Sequence, residues 1–409
     1  MKSYATPTVR IPNLRFKQYT TPWHDTQLGA LLQAELREID KPTKNYLALG
    51  IRSHFNGIFH RANSDPSKIA MDKLYTVRAG DLIVNITFAW EGAIAIATKA
   101  DEGGLVSHRF PTYRFVTDQV VGEFFRYVFP TERFKYNLGL ASPGGAGRNR
   151  VLNKSDFLKI SVSIPEIDEQ KMIAGFLLTV DDKIACLQNK VKHLKLYKMG
   201  LVQAIFSHKL SFKDDNGNSY PSWQVSKLGD IAQFSKGKGV AKNDIVEGGI
   251  TPCIRYGELY TRYNEVITKA YSATNISPDK LVMGKVNDVV IPASGETNID
   301  IATASCLQQN GVALGGDINI IRSEQNGVFL AYYLNNIQKN HIARLAQGNS
   351  VVHLYSSQLS SLTLTLPSAE EQQKIANLLV SIDEKINLEI SKLSQAYIFK
   401  KALLQRMFV

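Results

Sequence analysis

Apolar residues in this chain fall into two long runs of helical period. In the first, Leu177, Val180, Ile184, Leu187, Val191, Leu194, Tyr197, Leu201 and Ile205 step by three or four. In the second, Leu379, Ile382, Ile386, Leu393, Ala396, Phe399, Leu403 and Met407 keep the same rhythm, and Glu389 stands where Leu187 stood. A stripe sustained over about four heptads predicts a coiled-coil seam. Pro165 and Pro367 sit where a helix can begin, and Asp168, Glu169, Glu370 and Glu371 follow in the first turn. A helix of about 40 residues is roughly 60 Å long, too long to be covered by one ordinary core. Elsewhere the period shortens. Alternating or continuous apolar runs predict strands at 82–88, 93–97, 113–116, 289–292 and 318–321, with short helices at 123–129 and 328–335.

The two stripes belong to an internal repeat. Compared without gaps, residues 164–207 and 366–409 are identical at 14 of 44 positions, including Lys190/Lys392, Lys198/Lys400, Gln203/Gln405 and Phe206/Phe408. Upstream the likeness is weaker. Trp23…Leu28-Gly29 sits against Trp223…Leu228-Gly229, and Gly80-Asp81-Leu82-Ile83-Val84 against Asn287-Asp288-Val289-Val290-Ile291. Each half is therefore a mixed α/β head followed by a helical tail. The domains expected are 1–163 and 210–365 for the heads, 164–209 and 366–409 for the tails. Two similar stripes bury each other best if the second helix returns beside the first. The fold expected is α+β: two mixed α/β domains separated by a long antiparallel two-helix coiled coil, with a pseudo-twofold internal repeat.

Composition narrows the partners. The chain has 409 residues, a net charge of +11, 44% hydrophobic and 21% charged residues, which excludes a disordered or fibrous chain and favours an anionic partner. Cys186, Cys253 and Cys306 are scattered without metal spacing and are expected as small buried residues in a reducing compartment. The first 21 residues lack the apolar core of a signal peptide, and no run is long enough to span a membrane. A cytoplasmic protein is expected.

Catalytic motifs fail one by one. The run 142–147 is Gly-rich but lacks the Gly-Lys-Ser/Thr ending of a phosphate loop. Glu166, Glu169 and Lys171 resemble a nuclease set, but the second copy loses the lysine, and the acids suit a helix start. Ser294-Gly295 lacks the upstream glycine of a nucleophile elbow, and the eight histidines show no paired metal spacing. No catalytic residue, cofactor or metal is expected. Two related heads on a helical rod instead describe a bivalent binder. Duplex DNA fits the charge, each head reading one half of a split, asymmetric target.

Base reading needs polar and cationic side chains on loops, with basic groups for flanking phosphates. In the first head Arg52, His54, Asn56, His60, Arg61, His108, Arg109, Arg148, Asn149 and Arg150 meet that description. In the second, Lys236, Lys238 and Lys242 form a basic loop, Arg255-Tyr256 and Arg262-Tyr263 pair a cation with an aromatic, and Ser294, Glu296, Thr297 and Asn298 follow a strand. Lys190, Lys192, Lys195 and Lys198 crowd one stretch of the first tail, as a solvated face or as a docking surface.

The pattern resembles the specificity subunit of Type I restriction–modification systems. The likeness rests on the paired segments Ile164-Pro165…Glu169-Gln170…Ile173-Ala174…Asp181-Asp182-Lys183-Ile184 and Leu366-Pro367…Glu371-Gln372…Ile375-Ala376…Asp383-Glu384-Lys385-Ile386. Leu210-Ser211-Phe212…Tyr220-Pro221-Ser222-Trp223…Lys227-Leu228-Gly229-Asp230 adds the opening of a second half, to which Arg10–Phe16 and Thr21-Pro22-Trp23 correspond loosely. The resemblance implies two target-recognition domains on double-stranded DNA, two methyltransferase subunits docked mainly on the helical regions, and restriction (motor and nuclease) subunits joining them. It also implies a non-catalytic chain. The alternatives are a methyltransferase or nuclease with an unrecognised active site, and a bivalent protein scaffold.

Overall fold

Two helices carry the long stripes, Ile167–Phe206 of 40 residues and Ala369–Met407 of 39. The computed structural model describes residues 10–116, 118–144, 150–348 and 351–409. The chain divides into two units, Met1–Gln188 with Ser391–Val409, and Asn189–Ile390. Each unit thus contains a stretch of both long helices.

Within each unit those stretches are antiparallel. In the first, Lys400 pairs with Asp181 at 2.5 Å and Gln188 donates to the Tyr397 hydroxyl at 2.6 Å. In the second, Lys190 pairs with Glu389 at 2.9 Å and Lys198 with Asp383 at 2.7 Å. As one number rises the other falls. Leu177, Ile184, Leu187, Val191, Leu379, Ile382, Ile386 and Leu403 are buried, while Val180, Leu194 and Leu393 are partly so. Phe399 is a correction: it is 54% exposed. Strict alternation of three and four residues runs 386, 389, 393, 396, 400, 403 and gives the seam position to Lys400. The first helix does the same at Lys198, leaving Tyr197 exposed. Following only apolar residues steps off the seam at both lysines.

The heads share one sheet plan. In the first unit, strands Leu32–Ala34, Thr112–Phe115, Leu82–Val84 and Ile94–Ile96 lie side by side in that order. The second unit repeats this with Ala232–Lys236, Ile318–Ser323, Val289–Pro292 and Ser305–Leu307, and adds Val266–Ile267. A second sheet in the first unit runs Glu38–Asp40, Lys73–Thr76, Leu105–Val106, Tyr46–Ile51, Ile58–Ser64; in the second unit it runs Met283–Gly284, Val312–Leu314, Thr251–Ile254, Ser272–Thr274. In both, the central pair is parallel and its neighbours antiparallel. The strand expected at 82–88 stops at Val84. Asn85 turns the chain by accepting from the Thr87 amide at 3.1 Å, and a 3-10 turn follows at Ala89–Glu91.

The repeated motifs have structural reasons. Gly80 and Asn287 both have positive φ, 87° and 76°, the region glycine and asparagine tolerate best. The next residue is a buried aspartate that bonds the backbone three residues back. Asp81 pairs with Arg37 at 2.6 Å and has Arg114 at 3.7 Å, and Asp288 pairs with Arg322 at 2.6 Å. Gln170 accepts from the Val121 amide at the start of Gly122–Val128 and donates to Pro165. Gln372 does the same with Asn326 and Pro367 at the start of Gly327–Tyr333. These glutamines satisfy N–H groups that a helix start leaves unpaired.

Each head core is closed by the far end of the other half's tail. Phe408 packs edge-on to Trp23 and beside Phe124 in the first unit. Phe206 packs on Trp223 and Phe329 in the second. Aromatic contacts of this kind contribute about 0.5–1.5 kcal/mol beyond their burial.

Candidate nucleic-acid interface

In the first head, residues 52–57 form a tight turn after strand Tyr46–Ile51, closed by Arg52 N–H to Gly57 O at 2.9 Å. His54 and Phe55 take positive φ, 60° and 56°, a costly conformation for residues with a Cβ. The turn is held there from outside. His54 and Phe55 amides donate to Glu91 and Gly92 carbonyls at 2.7 and 2.9 Å, and Ser53 donates to the Glu91 carboxylate at 2.6 Å. A Cβ on Gly92 would meet the Phe55 ring at 2.6 Å, so the contact requires glycine. His54 and Asn56 are left exposed.

Arg52 and Arg61 each sit 5.3 Å from the Phe59 ring, one on either side of it in sequence. His60, on the strand Ile58–Ser64, meets Asp101 at 2.8 Å. Burial pushes the Asp101 carboxyl up, but hydrogen bonds from His60 and Thr98 outweigh it and hold it below its ordinary range. His108 and Arg109 are exposed, and Arg109 O accepts from Ile86. These segments converge: Ser53, Arg61, Asn85, Phe88, Glu91 and Ser107 all line one cavity of about 480 Å³. Arg148 and Asn149 lie outside the described residues. Arg150 is engaged internally, donating to Ser142 and Gly139 carbonyls at 3.0 and 2.6 Å and lying 5.3 Å from the Trp90 ring. Its guanidinium closes the end of helix Glu132–Leu140 rather than standing free.

In the second head three of the expected clusters meet. Gly237 packs so closely that a Cβ would fall 2.1 Å from the Gly315 carbonyl, and Gly315 lies against Arg255 and Ile254. This locks the basic loop, with Lys236 and Lys238 exposed and Lys236 3.7 Å from Asp317. Lys242, also exposed, opens the turn Lys242–Asp244. Arg255 precedes helix Tyr256–Thr261, its amide donating to Glu258 at 2.9 Å. That helix packs on Ser294–Gly295. Glu296, Thr297 and Asn298 are exposed beyond it, and Thr297 caps Asn298–Ile301.

Two expectations change. Ser294 is buried and bonds His353 at 3.1 Å. Tyr263 is buried, accepts from the Tyr271 amide at 2.9 Å and stacks on that ring, because it packs in the core below the helix. Arg262, exposed and 3.5 Å from Glu258, lines a different cavity with Asp383 and Glu384. Arg255 reaches the same Glu258 carboxylate at 3.9 Å from the opposite end of the helix.

His353 and Tyr355, stacked and exposed beside Ser294, are absent from the sequence reading. The repeat points to them. Leu152 donates to Ile86 O and Leu354 to Ala293 O, so 150–153 and 352–355 occupy the same place in the two heads. On the long helices, Lys192 and Lys195 are exposed while Lys190 and Lys198 are paired.

The cysteines offer no nucleophile in these surfaces. Burial pushes the Cys253 thiol up to about 11 and Cys306 up to about 12; Cys186, against expectation, is exposed on its helix. Among the described residues no group of His, Cys, Asp and Glu is arranged to hold a metal, and no helix is long and apolar enough to cross a membrane.

Comparison with known proteins agrees with the duplicated heads. The model of the Type I restriction modification DNA specificity domain matches twice, over residues 40–196 and 221–396. The chain is 22% identical over 359 residues to the Type I restriction enzyme MjaVIII specificity subunit of Methanocaldococcus jannaschii, covering 81% of this chain and 80% of that protein. It is 26% identical over 264 residues to the putative Type I restriction enzyme MjaX specificity subunit of the same organism, covering 62% and 59%. Among solved structures, the Type-I restriction-modification system S subunit from M. genitalium aligns over 97% of this chain and 99% of that one, with a TM-score of 0.62 at 15% identity. A chain from a study of complex assembly and conformational transition of the type I R-M system aligns over 94% and 97%, with a TM-score of 0.53 at 15% identity. The structural likeness speaks for the fold, and the doubled family match spans most of the sequence. The chain belongs to the Type I restriction–modification DNA specificity family.

Proposed function

We propose that this chain is the non-catalytic subunit that gives a Type I restriction–modification complex its DNA sequence specificity. Its heads, residues 1–163 and 210–365, each read one half of a split duplex target. Its helical regions, 164–209 and 366–409, set the gap and dock two methyltransferase subunits, which restriction subunits join. The setting is cytoplasmic. The observation that carries this reading is the repeated surface. In both heads, corresponding loops gather polar and basic side chains around the turn after the same central strand. Because those loops differ in sequence, the two half-sites differ. Base contacts are assigned to His54, Asn56, Arg61, Arg109, Arg255, Tyr256, Thr297, Asn298 and His353. Phosphate contacts are assigned to Lys236, Lys238 and Lys242, whose flexible ammonium groups suit a point-charge role.

Methylome sequencing of cells carrying this chain with its partners tests the reading: the expected result is one split, asymmetric motif. Exchanging residues 46–157 for another head should change one half of it. A contiguous motif, or change in both halves, would reject modular reading. The chain alone, incubated with DNA and a methyl donor or magnesium, is expected to turn nothing over.

A further inference from the structure

In each unit a tyrosine, an aspartate and a lysine from three different segments meet at one point. In the first, the Tyr127 hydroxyl donates to Asp181 at 2.9 Å, Lys400 pairs with the same carboxylate at 2.5 Å, and its ammonium lies 5.6 Å from the Tyr127 ring. In the second, the Tyr332 hydroxyl donates to Asp383, Lys198 donates to that carboxylate at 2.7 Å and more weakly to Glu265 at 3.5 Å, and its ammonium lies 5.0 Å from the Tyr332 ring. Both tyrosines are buried. Burial, followed by the facing carboxylate, holds both phenols above their ordinary range, so they remain donors at neutral pH.

The origin of the three groups matters. The tyrosine comes from a helix of the head, Gly122–Val128 or Gly327–Tyr333. The aspartate comes from the long helix of the same half, and the lysine from the long helix of the other half. Gln170 and Gln372 tie the start of each head helix to its long helix, but apolar packing along the seam is non-directional and leaves the far end of the head helix free to turn about that tie. Charge-assisted bonds to the aspartate have fixed directions, and polar groups in an apolar seam are best known for setting register. The three groups recur at equivalent positions in heads whose loops differ. What they share is therefore geometry and not a target.

We propose that these two pins define the gap between half-sites that the protein accepts, by holding each head helix at one angle to the helix pair. This rests on the reading of the chain as a two-headed specificity subunit. One base pair added to the gap moves a half-site by about 3.4 Å and turns it by roughly 34°. A pinned head cannot follow that turn, whereas a loosened one can.

The test uses the complex with its methyltransferase partners and a pool of duplexes with both half-sites fixed and the gap varied by single base pairs. Lys400→Met and Lys198→Met keep the apolar stem in the seam and remove the charge. The wild type should methylate one gap. Each variant should also methylate a gap one base pair away, to at least about a tenth of the best rate, with the half-site bases unchanged. Tyr127→Phe and Tyr332→Phe, which remove only the hydroxyl, should widen the gap less, and they decide the matter if the lysine variants fail to assemble. A single gap retained by all variants, even with a lowered melting temperature, would overturn the pins as spacing devices, as would altered half-site bases. A wild-type complex that methylates no split target would overturn the function itself.

Discussion

Glu169 and Glu371 occupy the same seat at the start of the two long helices and meet opposite surroundings. Glu169 is gripped by Arg15 through two bonds of 2.7 and 2.6 Å, with both side chains nearly buried. Glu371 has the Trp223 indole N–H at 3.2 Å. Burial pushes the Glu371 carboxyl above its ordinary 4.5, against the pull of that N–H and the Phe212 amide. A buried charge is tolerated where a hydrogen-bonded cation answers it and is a liability where neutral donors and the nearby His208 answer it only in part. The two units thus share a backbone plan while the electrostatic load at matched positions differs.

The largest expected effect breaks this comparison open. Glu169→Gln leaves Arg15 nearly buried without a carboxylate and should cost about 3 kcal/mol in denaturant unfolding of the first unit. Glu371→Gln should raise the melting temperature at neutral pH. The raised value means the folded carboxyl keeps its proton longer than the unfolded one. Stability therefore falls as pH rises from 4.5 through the raised value, and the gain from Gln should vanish near pH 4. A gain that grows on acidification would contradict this assignment. Next come the caps. Gln170→Ala and Gln372→Ala should each cost about 1–2 kcal/mol, because each frees a helix-start N–H and a proline carbonyl. Equal losses would sharpen the shared plan, and a one-sided loss would limit it to one unit. The smallest effect is at the surface. Lys374, at the place of Met172, bridges exposed Asp215 at 2.7 Å, and Lys374→Met should leave the melting temperature unchanged.

The tails were legible because their repeated residues have fixed jobs. Gln170 and Gln372 cap, Asp181 and Asp383 receive two donors, and Phe206 and Phe408 close cores. The repeat marks Lys198/Lys400 and Asp181/Asp383, but their meeting escaped the sequence reading, because an apolar stripe passes the polar lysines by and the tyrosines lie on the head helices. The proposed reading surfaces were legible only as clusters. Whether a side chain reaches the surface depends on which distant loop it meets. His54 is presented because residues 52–57 are held by Glu91 and Gly92, and the 236–239 loop is fixed by Gly315. Arg262 and Tyr263 look like Arg255 and Tyr256 in sequence, yet a helix of six residues places them at its other end.

The placement of Phe408 beside Trp23 and Phe124 also bears on how the protein is made. On a ribosome adding about 5–20 residues per second, the second head's socket is served by Phe206, which emerges before that head. The first head's socket stays open until Phe408 arrives, roughly 20–80 s after Trp23 at that speed. The domain made first is the one finished last, and its aromatic floor is the surface a chaperone would meet during synthesis.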